Sequence, residues 1–473
     1  MSERPPQTLV HTLDRAGQSH ILRWWDELSG PERSALVAQI DAIDFNEIRR
    51  LWLAARAGNE SAAADTPAER ARRAQPPADL VRLPETLRDR ELWSAAARRG
   101  EELLRSGRVG VILVAGGQGT RLGFPHPKGM YPIGPISGCS LYQLLAEQLL
   151  ARSRRAGVAI PCYVMTSDAT HDETVEFFEQ QRFFGLDATD VRFFRQGNMP
   201  AVDAGSGRLL LAGRSQLATS PDGHGGLLQA LKRSGMFADM RARGVEQLYY
   251  HQVDNPTVKV CDPAFLGWHV ERRADVSTKV VAKRSWDERM GVAVSVDGVA
   301  QIIEYSDLPD DVAQQTESDG RLRHWAGSTA VHVFDREFLE RLASSQPGLP
   351  FHIARKKVPH LDENGEHVEP AEPNASKFER FVFDTLPQAR TALAVETDRA
   401  REFNPVKNAD GADSPATARA ALCAIHAGWL RSAGQAVPAG ATVEIGPLFA
   451  LDAEDVQERF RAGHVFDGRV YLG

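Results

Sequence analysis

Cysteine is scarce: Cys139, Cys162, Cys261 and Cys423 are the only four among 473 residues. They show no paired metal spacing and are too few for a disulfide framework, so neither a zinc module nor a cross-linked scaffold is expected. Long apolar runs are also missing. No stretch approaches the ~18 residues that a bilayer span needs, and the N-terminus lacks the apolar core of a signal segment. Excess positive charge is absent too: 56 basic against 63 acidic residues leave a net charge of −7, which disfavours a nucleic-acid duplex as partner. Repeats and low-complexity tracts are not found. The expectation is a cytoplasmic protein, monomer or weak dimer, with neither membrane nor nucleic acid as partner.

What is present is ordinary folding composition, 42% hydrophobic and 25% charged, in a length that allows roughly two or three domains. Residues 1–100 read as a helical segment, with Pro31 in a first turn, Asp44 as a cap before Phe45, and 57–77 as a loose linker without apolar periodicity. From Val109 onward strands and helices alternate, which implies a mostly parallel α/β sheet. Strands are expected at 109–114, 162–166, 191–195, 248–253, 276–282 and 328–334. Asp297-Gly298 marks a hairpin turn within 292–304. Asp262-Pro263 and Ser414-Pro415 open helices. After the second of these, the β-rich stretches 441–449 and 465–472 form a small C-terminal part.

The most informative stretch is Val109-Gly110-Val111-Ile112-Leu113-Val114-Ala115-Gly116-Gly117-Gln118-Gly119-Thr120-Arg121-Leu122-Gly123, followed by Pro127-Lys128-Gly129. A buried strand runs into glycines whose bare backbone can approach an anion, with Arg121 and Lys128 beside it and a helix capped by Ser140 beyond. A Walker A loop is excluded, because no Lys-Ser or Lys-Thr follows the glycines. A dinucleotide loop is excluded as well, since Leu122 occupies the place of the third glycine. Ligands of open α/β sheets sit beyond the carboxyl ends of the strands. Gly116-Gly117, Ser167-Asp168, Gln196-Gly197 and Asp254-Asn255 should therefore converge.

The glycine string with its Arg and Pro-Lys resembles the loop of sugar-nucleotide pyrophosphorylases. With Gln118 and Pro127-Lys128-Gly129-Met130-Tyr131 it is similar to the eukaryotic-type UDP-N-acetylhexosamine pyrophosphorylases. Further similar segments are Phe193-Phe194-Arg195-Gln196-Gly197, Ser220-Pro221-Asp222-Gly223-His224-Gly225-Gly226, Val253-Asp254-Asn255, Ile303-Glu304-Tyr305-Ser306, and the strings around Lys377 and Lys407. The likeness spans roughly 90–425. It implies a Rossmann-like, glycosyltransferase-A-like nucleotidyltransferase sheet flanked by helices, with a helical segment at 1–100, a catalytic domain at 101–400 and a small α/β-rich domain at 401–473.

The resemblance also implies a reaction, UTP plus N-acetylhexosamine 1-phosphate giving a UDP-sugar and pyrophosphate, and a division of roles. Arg121, Lys128, Lys377 and Lys407 would be catalytic cations. Val114, Ala115, Gly116, Gly117, Lys128, Gln196, Gly223, Asp254 and Lys377 would hold UTP, with the Gln196 amide supplying the donor and acceptor that uracil requires. His224, Asn255, Gly291, Glu304, Ser328 and Lys407 would hold the sugar phosphate. Asp254 would carry Mg²⁺, a hard cation suited to carboxylate and phosphate oxygens. Two positions depart from the family, His224 and Ser328 standing where asparagine is usual, and both concern the sugar. A UDP-glucose or broad UDP-sugar enzyme is the alternative within the same chemistry, and a non-catalytic nucleotide-sugar-binding regulator the alternative outside it.

Overall fold

Ten strands close into one sheet: β1 (Leu80–Val81), β2 (Val109–Val114), β3 (Cys162–Thr166), β4 (Val191–Arg195), β5 (Gln247–Gln252), β6 (Val276–Ala282), β7 (Val292–Val296), β8 (Val299–Ile303), β9 (Ala326–Asp335) and β10 (Ala392–Glu396). In the computed structural model, which describes residues 4–57, 66–345, 348–459 and 468–473, their order is β1-β10-β6-β9-β5-β2-β3-β4, with the β7–β8 hairpin joined to β9. β9 runs antiparallel to both β5 and β6, while the remaining neighbours along the main path are parallel. The apolar β2 and β3 runs are buried throughout except at Val114, as expected of strands covered on both faces.

The chain divides into two units, each discontinuous in sequence. One comprises Met1–Thr66, Gly197–Leu227 and Leu349–Val382; the other comprises Pro67–Gln196, Leu228–Gly348 and Phe383–Gly473. The second holds the large sheet. On it, Leu141–Ala156 begins at Ser140, whose hydroxyl accepts from the Gln143 N–H, and buries Leu141, Tyr142, Leu145 and Leu149. Each such side chain contributes about 1.5–3 kcal/mol by leaving water. Helices Leu87–Arg105 and Pro263–Arg272 touch backbone to backbone. A Cβ on Gly100 would lie 1.8 Å from the Pro263 carbonyl oxygen, and one on Gly267 would lie 1.7 Å from that of Ala96, so only glycine permits this approach. The helix Pro415–Ser432 and the parallel pair Thr442–Ile445 and Arg469–Leu472 form the β-containing C-terminal part; positions 465–467 of the expected last strand lie outside the described residues.

The other unit packs Gln7–Ala16, Gly30–Asp41 and Phe45–Ala57 around Leu13, Ile21, Trp25, Leu36 and Phe378. Asp44 caps the third helix as expected, accepting from the Asn46 and Glu47 N–H groups. This unit also carries a three-stranded sheet of Val202–Asp203, Ala375–Glu379 and His352–Lys356, which sequence reading missed. Its strands are short, and His352–Lys356 buries none of its residues fully, so no alternation marks it. The expected linker at 57–77 is corrected in part: 58–65 lies outside the described residues, but Pro67–Arg73 is a helix. Ala71 and Ala74 bury against Val292, Val294 and Val296. Alanines can line a close packing face without producing the large-residue periodicity that announces a helix.

Candidate functional site

Register brings the ends of β5, β2, β3 and β4 side by side: Val114 stands opposite both Gln252 and Met165, and Thr166 stands opposite Arg195. Past the strands the chain remains tied together. The Ser167 hydroxyl donates to the Gly116 carbonyl at 2.8 Å, the Gln196 N–H to the Thr166 carbonyl at 2.8 Å, and the Val253 N–H to the Val114 carbonyl at 3.0 Å. Gly116 lies directly beneath Gln196, whose Oε1 would be 2.6 Å from any Cβ there. Around Gly117, by contrast, a Cβ would find nothing within 4 Å. One glycine packs against the amide and the next leaves its backbone bare.

The rest of the loop folds back on these glycines. The Lys128 N–H donates to the Gly117 carbonyl at 3.0 Å, and the Gly119 N–H donates to the His126 carbonyl at 2.9 Å. Arg121 is exposed on the turn Thr120–Leu122, and Lys128 is half-buried at the start of Lys128–Met130. Gly129 fits because a Cβ would lie 2.2 Å from the Tyr142 ring.

Asp254 follows β5 and is half-buried, and its carbonyl accepts the Val406 N–H at 2.7 Å. That bond sets Lys407 one residue from Asp254; the Lys407 ammonium lies 5.7 Å from the Phe403 ring centre. Asn255 is 3% exposed. Its amide donates to the Glu402 carbonyl at 2.7 Å and accepts from the Thr257 and Asn404 N–H groups and the Thr257 hydroxyl. One N–H of that amide remains beyond these bonds.

Gly291, Glu304 and Ser328 also come together. The Ser328 N–H donates to the Gly291 carbonyl at 2.8 Å, and a Cβ on Gly291 would meet Glu304 Oε1 at 3.0 Å. Ser328 sits where β6 and β9 slip register, beside Ala330 with φ of 56°.

In the other unit, Gly223 has a φ of +80°, and a Cβ there would lie 2.3 Å from the Arg380 carbonyl oxygen, so the loop 221–226 lies against 379–382 with no room for a side chain. His224 Nδ1 accepts the Val382 N–H at 3.1 Å, its ring stacks on Phe381, and burial together with His352 pushes its pKa down to about 4. The neutral ring therefore carries its proton on Nε2. Lys377, half-buried, lies on Ala375–Glu379 between the buried Ser376 and Phe378.

Most arginines around these loops are paired, as Arg195 is with Asp168 and Asp172. Among the described residues, Arg121, Lys128, Lys377 and Lys407 have no ion-pair partner, and the Asp254 carboxylate has none either. No group of three or more His, Cys, Asp or Glu residues that could hold a metal occurs among the described residues, and none of the described helices is long and apolar enough to cross a membrane.

A glycine loop at the carboxyl edge of a mostly parallel sheet, flanked by uncommitted cations, defines an α/β nucleotidyltransferase. The chain belongs to the UTP--glucose-1-phosphate uridylyltransferase family, which residues 65–463 match. It is similar to the UDP-N-acetylhexosamine pyrophosphorylase-like protein 1 of Homo sapiens, at 41% identity over 436 residues, 89% of this chain and 85% of that protein. The UDP-N-acetylglucosamine pyrophosphorylase of Saccharomyces cerevisiae is 35% identical over 468 residues, 96% of each chain. Among solved structures, the UDP-N-acetylglucosamine pyrophosphorylase of Trypanosoma brucei, in complex with an inhibitor, superposes with a TM-score of 0.84 at 25% identity, covering 99% of this chain and 98% of that one.

Proposed function

We propose that this chain transfers a uridylyl group from UTP to N-acetylhexosamine 1-phosphate, forming UDP-N-acetylglucosamine or UDP-N-acetylgalactosamine and releasing pyrophosphate. The observation that carries the reading is the bare Gly117 backbone next to Gly116, which packs on Gln196, with Arg121 and Lys128 on the same loop having no ion-pair partner among the described residues. Unpaired cations beside an open backbone suit a polyanion.

A phosphate oxygen of the sugar phosphate attacks the α-phosphorus of UTP. A new oxygen–phosphorus bond forms, the bond to the α–β bridging oxygen breaks, and pyrophosphate leaves with that electron pair. The nucleophile is already anionic near neutral pH, so no side chain needs to take a proton. Positioning and charge carry the rate. Arg121 and Lys128 hold the departing phosphates. Lys377 and Lys407 neutralise the α-phosphate and the incoming sugar phosphate. Val114, Ala115, Gly116, Gly117, Gln196 and Gly223 take the nucleotide, with the Gln196 amide on the uracil edge.

The sugar falls to His224, Gly291, Glu304 and Ser328, with Asn255 contributing its one remaining amide N–H. Asp254, a carboxylate without an ion-pair partner among the described residues, would hold Mg²⁺, a hard cation that commonly binds through one or two carboxylates together with substrate phosphates. When bound, Mg²⁺ would add positive charge at the phosphates. On this reading residues 101–400 hold the nucleotide, and 401–473 contribute Lys407. Four free thiols suit the reducing cytosol, where the chain would work as a monomer or weak dimer.

The test is pyrophosphate release from UTP and Mg²⁺ with a panel of sugar 1-phosphates. Preferred turnover of N-acetylglucosamine or N-acetylgalactosamine 1-phosphate is expected, and no release with any sugar refutes the reading. His224 and Ser328 specifically favour a second outcome, preference for glucose 1-phosphate or comparable use of several sugars, because both alter hydrogen-bond partners for the sugar alone.

A further inference from the structure

Five residues before Lys407, Glu402 joins an ion cluster that no step above uses, in which Lys279, Asp262 and Glu402 are buried and Lys259 is exposed. Lys279, 2% exposed on β6, donates to Asp262 Oδ2 at 2.6 Å and to the Glu402 carboxylate. Lys259 approaches the other Glu402 oxygen at 3.0 Å. The Lys279 backbone is fixed as well, because its carbonyl accepts the Thr329 hydroxyl at 2.9 Å where β6 slips register against β9. Burying charges in this way brings little net stability, since desolvation offsets the attraction, and apolar side chains would fill the same space. Placement explains the cluster better than stability does.

What the cluster places can be followed atom by atom. Asp262 is already anchored as the cap of Pro263–Arg272, accepting from the Ala264 N–H. Glu402 is the last residue of the short turn Arg399–Glu402, five residues before Lys407. Beyond it the chain is fastened repeatedly: the Glu402 carbonyl to the Asn255 amide at 2.7 Å, the Asn404 N–H to Asn255 Oδ1 at 3.2 Å, the Val406 N–H to the Asp254 carbonyl at 2.7 Å, and the Lys407 N–H to the Asp413 carbonyl at 2.7 Å. The Lys279–Glu402 pair is the charged root of this ladder.

We infer that Lys279 is a positioning residue: by gripping Glu402 it fixes the segment 402–407 and so holds Lys407 alongside Asp254. The inference rests on the role proposed above for Lys407, and its test separates the two. Glu402→Gln and Lys279→Met would be compared with the unmodified chain, Lys407→Ala, and the Glu402→Gln/Lys407→Ala double variant. Hydrogen exchange would be read by mass spectrometry over 404–407 and over β2, and pyrophosphate release would be measured in parallel.

In Glu402→Gln, the 404–407 amides should exchange about tenfold faster while β2 stays protected. The kcat should fall by about tenfold with the KM for UTP within about twofold, and adding Glu402→Gln to Lys407→Ala should change turnover by less than about twofold, since one residue acts through the other. Lys279→Met should show the same pattern more strongly; should it fail to fold, Glu402→Gln still decides. Unchanged exchange over 404–407 overturns the inference, and so do additive losses in the double variant. Faster exchange with an undiminished kcat keeps the positioning role and refutes the role given to Lys407 instead.

Discussion

Replacing Gly116 by alanine would put a Cβ 2.6 Å from Gln196 Oε1 and 3.4 Å from the Ser167 nitrogen. Ordinary contact begins near 3.4 Å, so the amide would have to retreat by about 0.8 Å. Gln196 is 8% exposed and has little free space, so overpacking should cost about 1–3 kcal/mol in stability. The larger consequence is functional. If this amide reads uracil with one donor and one acceptor, re-aiming it loses about 1–3 kcal/mol of binding, or about 5- to 150-fold in the affinity for UTP. Gly117→Ala is the control, because its Cβ meets no protein atom within 4 Å. It should leave the melting temperature near that of the parent and still weaken UTP binding, since the methyl group would occupy the space assigned to phosphate. Calorimetric titration with UTP and thermal denaturation of both variants provide the readouts. Parental UTP affinity in Gly116→Ala, or in a Gly117→Ala variant of unchanged stability, would refute the placement of the nucleotide on this loop.

Arg121→Ala and Lys407→Ala should each reduce turnover by about 10²-fold or more and, having no ion pair to lose, shift stability by no more than about 0.5 kcal/mol; near-parental kcat in either would remove that residue from the mechanism. Acid should weaken the fold well above the carboxylate range. Burial pushes His251, His324 and His426 down to about 4, and His426 Nδ1 accepts the Ile445 N–H, which a proton there would abolish. Unfolding lets these rings take up protons below about pH 6.5, so stability falls between pH 6.5 and 4, by about 2 kcal/mol per ring at pH 5; coincident urea curves at pH 7 and pH 5 would contradict this. Glu444→Ala removes the acceptor of the Ile136 and Ser137 N–H groups and the Ser137 hydroxyl, a few residues beyond Lys128. Ile136 is half-buried and Ser137 exposed, so water can take over the freed donors and the cost should be about 0.5–1.5 kcal/mol per bond; the KM for UTP should rise, whereas an unchanged KM in the folded variant would show that the C-terminal part leaves the Lys128 loop alone.

The sheet was legible because its strands are runs of β-branched and aliphatic residues bounded by polar turns. The hairpin was legible through Asp297-Gly298, whose φ values of 51° and 84° are those of the turn that the pair favours. The direction of β9 was not. A fully buried strand has the same composition whether it runs parallel or antiparallel to its neighbours, and only the length of the connection carries a hint. The short strands near 200, 352 and 375 escaped for a related reason, being too brief and too mixed in polarity to show a period of two.

The candidate site divides along the same line. Groups joined by a contiguous motif, Gly116 to Lys128, could be placed together from the string alone. The convergence of Gly116 with Gln196 followed from strand ends meeting at one edge. The Lys279–Glu402 root of the Lys407 segment could not be read, because its members lie 123 positions apart and each alone reads as a solvated charge. Asn255 shows how much of a residue's bonding a motif leaves unsaid. Beside Asp254 it reads as a polar group aimed at a ligand, and four hydrogen bonds to Glu402, Asn404 and Thr257 occupy its amide apart from one N–H. Both residues lie past the end of β5, in the turn that begins at Val253, where strand alternation no longer sets which way a side chain points. On the proposed reading Asp254 supplies the charge, and Asn255, bonded to Glu402 and Asn404, ties the neighbouring backbone down.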